Sequence, residues 1–82
     1  MKRYFFDLRD GDHLAPDEEG VELPDIERVQ EEAALALAAM TKEAVPSADR
    51  NGGHRMAIEV RDERGPILKV LFTFEADRRW MQ

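Results

Sequence analysis

The densest run of reactive side chains in this sequence is acidic. Asp10, Asp12, Asp17, Glu18 and Glu19 crowd into one short stretch, and several converging carboxylate oxygens are what calcium or magnesium requires. The spacing argues against such a site. It has no Asp-x-Asp-x-Asp-Gly run and no closing Glu at the twelfth position. Two polar turns flanking an edge strand explain the same residues, and no metal ligand is assigned.

Histidine is the other candidate. His13 and His54 could pair with Asp12 or Glu59 as acid–base groups, since imidazoles titrate near neutral pH. General acid–base work also needs a pocket, a partner and a fixed geometry. Both histidines sit in turn-like polar surroundings. The chain has no nucleophile elbow, no phosphate-cradling glycine loop and no zinc signature. They read as surface groups, so no catalytic or cofactor-binding residue is assigned and no enzyme is expected.

The last third is basic in part, with Arg55, Arg61, Arg64, Lys69, Arg78 and Arg79. A phosphate-binding strip is one use for such a cluster. Glu59, Asp62, Glu63, Glu75 and Asp77 are interleaved with it, as cross-strand charge pairs require. The net charge of −6 also repels phosphate backbones. Nucleic acid is therefore not expected as a partner.

The elements that must carry these groups follow from periodicity. Arg3 to Arg9 alternates, with Tyr4, Phe6 and Leu8 on one face, and reads as a strand. Asp10-Gly11-Asp12 has turn chemistry. His13-Leu14-Ala15 is a weak second strand broken by Pro16 and the Asp17–Gly20 turn, with Val21 and Leu23 resuming it, and an edge position suits it. A helix starts at Pro24-Asp25 and runs to about Ala44, where Pro46 ends it. Its apolar stripe is Ile26, Val29, Ala33, Leu37, Met40 and Ala44. Ser47 to Gly53 is a polar loop.

A β-hairpin closes the chain. Met56, Ile58 and Val60 lie on its first strand, Asp62 to Gly65 turns, and Leu68, Val70, Phe72 and Phe74 follow. The expected fold is α+β over residues 1–82 as one domain. A three- to four-stranded antiparallel sheet carries one helix on one face, in the order β-β-α-β-β. The first and last strands, the most apolar, are expected at the centre of the sheet.

Three segments together resemble a known family. They are Tyr4-Phe5-Phe6-Asp7-Leu8-Arg9-Asp10-Gly11, then Asp17-Glu18-Glu19-Gly20-Val21-Glu22-Leu23-Pro24-Asp25, and Ile58-Glu59-Val60-Arg61-Asp62-Glu63-Arg64-Gly65. The family is a domain of unknown function found in short proteins of rhizobial-type alphaproteobacteria. The resemblance implies a compact bacterial domain and supplies no activity, ligand or catalytic residue. Many members carry His where this chain has Asp7, so no family role transfers to that position.

Composition narrows the function classes. The chain has 82 residues, and one this short buries about 60–65% of the surface its unfolded form exposes. Disulfides, a metal or a partner chain usually support such domains. The absence of cysteine excludes disulfides and thiolate metal sites. Two histidines are too few for a histidine-built centre without carboxylates. The longest apolar run, Ala33 to Met40, is far short of the ~20 residues of a membrane span. With no apolar leader and no cysteine, a cytoplasmic setting is expected, with no membrane partner and no cofactor.

What remains are apolar residues without an assigned neighbour. If Tyr4, Phe6, Leu68, Val70, Phe72 and Phe74 face the helix, then Phe5, Ala57, Ile67 and Leu71 face away. A wet sheet face should not collect such residues. Leu35 points away from the helix's core stripe, and Trp80 follows Arg78 and Arg79 near the C-terminus. Tryptophan and arginine are favoured interface anchors. Phe5, Leu35, Ile67, Leu71 and Trp80 are thus the candidate interaction residues, unless the tail folds back and Trp80 covers Phe5 and Leu71 itself. The expected function is a non-enzymatic module binding a protein partner or a second copy of itself. The alternatives are an antitoxin-like domain masking a basic protein and a weak metal or small-ligand binder at the acidic turns.

Overall fold

The computed structural model describes residues 1–44 and 53–76. Its elements are β1 (Lys2–Asp10), β2 (His13–Ala15), β3 (Val21–Leu23), α1 (Ile26–Ala44), β4 (Gly53–Asp62) and β5 (Gly65–Glu75). The fold is α+β with one helix on an antiparallel sheet, as expected, but the weak second strand is split in two by Pro16 and the Asp17–Gly20 turn, so the sheet has five strands and the order is β-β-β-α-β-β. All strand pairs are antiparallel, and the sheet order is β2-β1-β4-β5. β3 joins the same side of β1 as β2, pairing with Lys2 to Tyr4 while β2 pairs with Leu8 to Asp10. One edge of the sheet is therefore built from two three-residue strands with a gap between them.

β5 lies at the other edge, paired with β4 alone, rather than at the centre as its apolar content suggested. The difference has a physical cause. Apolar alternation reports which face of a strand is covered, not how many neighbours it pairs with. Leu68, Val70 and Phe72 pack against the core from an edge position.

The helix starts where Asp25 Oδ1 accepts the Arg28 N–H at 2.9 Å and the Asp25 carbonyl accepts the Val29 N–H at 3.2 Å. Asp25 is thus the N-cap, and Arg28 pairs with Glu32 at 2.8 Å one turn on. Of the expected stripe, Val29, Ala33 and Leu37 are buried and Met40 and Ala44 flank them. Ile26 is 47% exposed. Helical side chains lean toward the N-terminus, so the first residue points past the end of the core. Pro46 and the Ser47–Gly53 loop fall largely outside the described residues.

The core is formed by Val29, Ala33 and Leu37 against Tyr4, Leu23, Met56, Ile58 and Val60. Val29, Ile58 and Val60 are fully buried, each contributing about 1.5–3 kcal/mol of apolar transfer. The β4–β5 hairpin turns through Glu63-Arg64, with Asp62 opposite Gly65 and a register shift at Val60/Arg61. Gly65 takes φ 123°, open to glycine alone. Asp62 Oδ1 accepts the Arg64 N–H at 2.8 Å, and Lys2 Nζ lies 3.1 Å from Asp62 Oδ2. Those contacts, the Arg64 N–H first and the Lys2 bond next, outweigh burial and hold the Asp62 carboxyl below its usual value.

Candidate functional site

The helix covers one face of the sheet, and the residues that alternate with the core lie on the other, open face. In register across the strands, this face carries Phe5, Arg61 and Pro66 in one row, Asp7, Glu59 and Lys69 in the next, and Arg9, Ala57 and Leu71 in a third. Asp7 and Glu59 stand directly opposite each other, an unfavourable arrangement for two carboxylates. Each is neutralised by a diagonal arginine. Arg61 Nε donates to Asp7 Oδ2 at 2.9 Å, and Arg9 Nε donates to Glu59 Oε2 at 2.6 Å. The Arg9 bond holds Glu59 below the ordinary carboxylate range and pushes Arg9 further above its own.

Arg61 is the hub of this face. Its guanidinium sits 4.6 Å from the centre of the Phe5 ring. Its Nη2 also donates to the Asp17 carbonyl at 3.0 Å. Asp17 in turn fills the gap between β2 and β3. Its Oδ2 accepts the Phe6 N–H at 3.1 Å, and its own N–H donates to Asp7 Oδ1 at 2.8 Å. Oδ1 accepts from the Glu19 and Gly20 N–H groups at 3.1 and 3.2 Å. Partial burial opposes ionisation of Asp17, but the three backbone donors and Arg61 outweigh it and hold its carboxyl below the usual value.

The acidic turn is thus a backbone connector. Both Asp17 oxygens are engaged by N–H groups, and among the described residues no three His, Cys, Asp or Glu side chains gather to hold a metal ion. Among the described residues, the ion pairs on this face run between β1 and β4. Glu59 with Lys69 is the opposed pair found inside the hairpin.

The histidines have other neighbours than Asp12 and Glu59. Glu59 is taken by Arg9. His13 lies opposite Asp10 in the β1–β2 register. His54 Nε2 lies 2.8 Å from Asp10 Oδ1 but without the alignment of a hydrogen bond. With His13, the residues Leu8, Ala15, Met40 and Met56 line a depression of about 410 Å³ on the helix side of the sheet. A second depression, about 430 Å³, opens on the other face between the Asp7–Arg61 pair and Pro66, Ile67 and Lys69.

The candidate interaction residues separate. Phe5 is half-buried under Arg61. Ala57 is 3% exposed, while Ile67 and Leu71 on β5 are 38% and 68% exposed on the open face. Leu35 is 61% exposed, but on the solvent side of α1, the opposite side of the domain. Trp80, Arg78 and Arg79 lie outside the described residues. Arg61 and Asp17 were not singled out by sequence reasoning as connected groups. The signal available was Asp17 three residues before a glycine, the pattern of an Asx-type turn.

Residues 3–73 match the family described as a domain of unknown function (DUF6894). No curated protein and no solved structure matches the chain.

Proposed function

We infer that this chain, which belongs to the DUF6894 family, is a non-enzymatic module that works by binding protein, with the β5 side of the open sheet face as its docking surface. Leu71 carries this reading. A leucine 68% exposed in the middle of a strand, two turns of the pleat from the exposed Ile67, lies where a solvated face places polar groups. The charged part of the same face supports binding over catalysis, because Asp7 with Arg61 and Glu59 with Arg9 satisfy each other. A cytoplasmic setting fits a chain with no cysteine. Among the described residues no helix is long and apolar enough to cross a membrane.

A second reading rests on the opposite edge. Asp12, Glu18 and Glu19 are exposed there, and with a net charge of −6 they suit a module that masks a basic protein.

The test compares the wild-type chain with Leu71→Glu and Leu35→Glu, each checked for folding by circular dichroism. Solution mass and captured protein partners are measured for all three. Association lost in Leu71→Glu and kept in Leu35→Glu supports the reading. Identical behaviour of the three chains sinks it.

A further inference from the structure

β5 has one whole side unpaired among the described residues, and the pairing pattern tells which groups lie free on it. The Phe6 N–H points away from β4, toward Asp17. Residues of an antiparallel strand alternate in the neighbour they bond. Asp7 with Glu59 and Arg9 with Ala57 are therefore the hydrogen-bonded pairs between β1 and β4. The Arg55 carbonyl, which accepts the Gly11 N–H at 2.9 Å, points the same way. Met56, Ile58 and Val60 then turn their backbone groups to β5, where Phe72, Val70 and Leu68 face them. What is left pointing outward is the N–H and C=O of Lys69, Leu71, Thr73 and Glu75.

Such a row is a template for another strand, and proteins ordinarily blunt it with prolines, bulges and short strands. The β2/β3 edge is blunted in this way, by its two short strands, Pro16 and the Asp17 turn. β5 has Pro66 and a register shift near its start, and from Leu68 to Glu75 no such interruption.

We propose that β5 pairs antiparallel with the β5 of a second copy, across a two-fold axis at Phe72, joining the two sheets into one. This rests on the reading that the β5 side is a docking surface, and it names the partner. Charge selects the register. Along the open face β5 presents Lys69 near one end and Glu75 at the other. Pairing about Phe72 sets Lys69 opposite the partner's Glu75 and Leu71 opposite the partner's Thr73. Leu71 then lies diagonal to the partner's Leu71, within reach across the new ladder. On the helix side Val70 meets the partner's Phe74, and Phe72 meets the partner's Phe72. All three residues of this chain are half-exposed as it stands. Pairing about Leu71 or Val70 loses the Lys69–Glu75 match. Lys69 and Glu75 are both exposed and have room to meet a partner.

The experiment is the solution mass of the full chain by light scattering and sedimentation over a range of concentrations. The expected result is a dimer. Lys69→Glu and Glu75→Lys each turn two attractions into repulsions and weaken it by about tenfold. A mixture of those two single variants restores association as a heterodimer, because each supplies the charge the other needs. Circular dichroism guards against unfolding, and both positions are at the surface. A wild-type chain monomeric at every concentration overturns the proposal, and the docking reading is then decided by the capture comparison above. A dimer indifferent to both charge reversals but broken by Leu71→Glu also overturns edge pairing and leaves the docking surface standing. A dimer moved by none of the three variants overturns both.

Discussion

Asp7 and Asp17 are linked through adjacent backbone groups. Asp7 Oδ1 accepts the N–H of Asp17 at 2.8 Å, and Asp17 Oδ2 accepts the N–H of Phe6, the residue before Asp7, at 3.1 Å. The pair does for the middle of β1 what a ladder partner does elsewhere, because β2 and β3 leave that stretch uncovered. Arg61 locks the arrangement from the neighbouring strand by bonding the Asp7 carboxylate and the Asp17 carbonyl together.

Removing the Asp17 carboxylate leaves the N–H groups of Phe6, Glu19 and Gly20 without their acceptor. Asp17→Ala is expected to lower the unfolding free energy by about 1–3 kcal/mol, read from urea denaturation. Asp17→Asn, which keeps one carbonyl oxygen, is expected to lose less. Equal stability of Asp17→Ala and wild type would refute the connector role.

Gly20 has φ 74°, and a Cβ there would sit 2.9 Å from both Phe5 Cε1 and the Tyr4 carbonyl oxygen. Gly20→Ala is expected to cost about 1–3 kcal/mol from backbone strain, with the contact added. Gly11, at φ 62°, has nothing within 4 Å of the same position. Gly11→Asn, a residue that tolerates this conformation, is expected to stay within about 0.5 kcal/mol of wild type. Thermal melts of the two variants separate the effects.

Arg61→Lys keeps the charge and loses the planar fork. It cannot hold Asp7 and the Asp17 carbonyl while lying over the Phe5 ring. The expected loss is about 1.5–3 kcal/mol, together with faster amide hydrogen exchange at Asp17 and Gly20. A variant whose exchange matches wild type at those amides would show that the guanidinium does not organise the turn.

Asp17, Glu59 and Asp62 are all held below their ordinary values. A carboxyl depressed by folding adds stability that is fully present above its unfolded value and is lost as pH falls through the folded one. The urea midpoint is therefore expected to be level from neutral pH to about pH 5 and to drop below about pH 4. Asp17→Asn should make that drop shallower. A midpoint unchanged at pH 3 would contradict the sign.

Among the described residues, Leu35 is the exposed large apolar side chain on the outer side of α1. Leu35→Lys is expected to change stability by less than about 0.5 kcal/mol and to leave the solution mass as it was. A shift in mass would move the proposed docking surface to the helix.

Much of this was readable in the residues, and the limits have physical causes. The helix stripe, the closing hairpin and the weak edge strand follow from local periodicity and turn chemistry, and Val29, Ala33 and Leu37 are buried as that period requires. The place of β5 was not readable, because pairing partners are long-range and side-chain alternation does not encode them. Nor was the link from Asp17 to Phe6 and Arg61, which joins residues 11 and 44 positions apart. Among the apolar candidates, sequence alternation sorted Phe5, Ile67 and Leu71 onto the open face. It could not reveal that Arg61 shields Phe5, or that Leu71 is 68% exposed.

In the proposed β5 pairing, the split edge also limits the assembly to two copies. A strand arriving beside β2 or β3 finds only three residues of ladder before the chain turns away through Pro16 or Pro24. With β5 as the flank proposed to receive a second copy and the other flank closed, copies paired this way cannot add head to tail without end. Once two β5 strands have met, both receptive flanks are used, and growth toward a fibre stops at the first step.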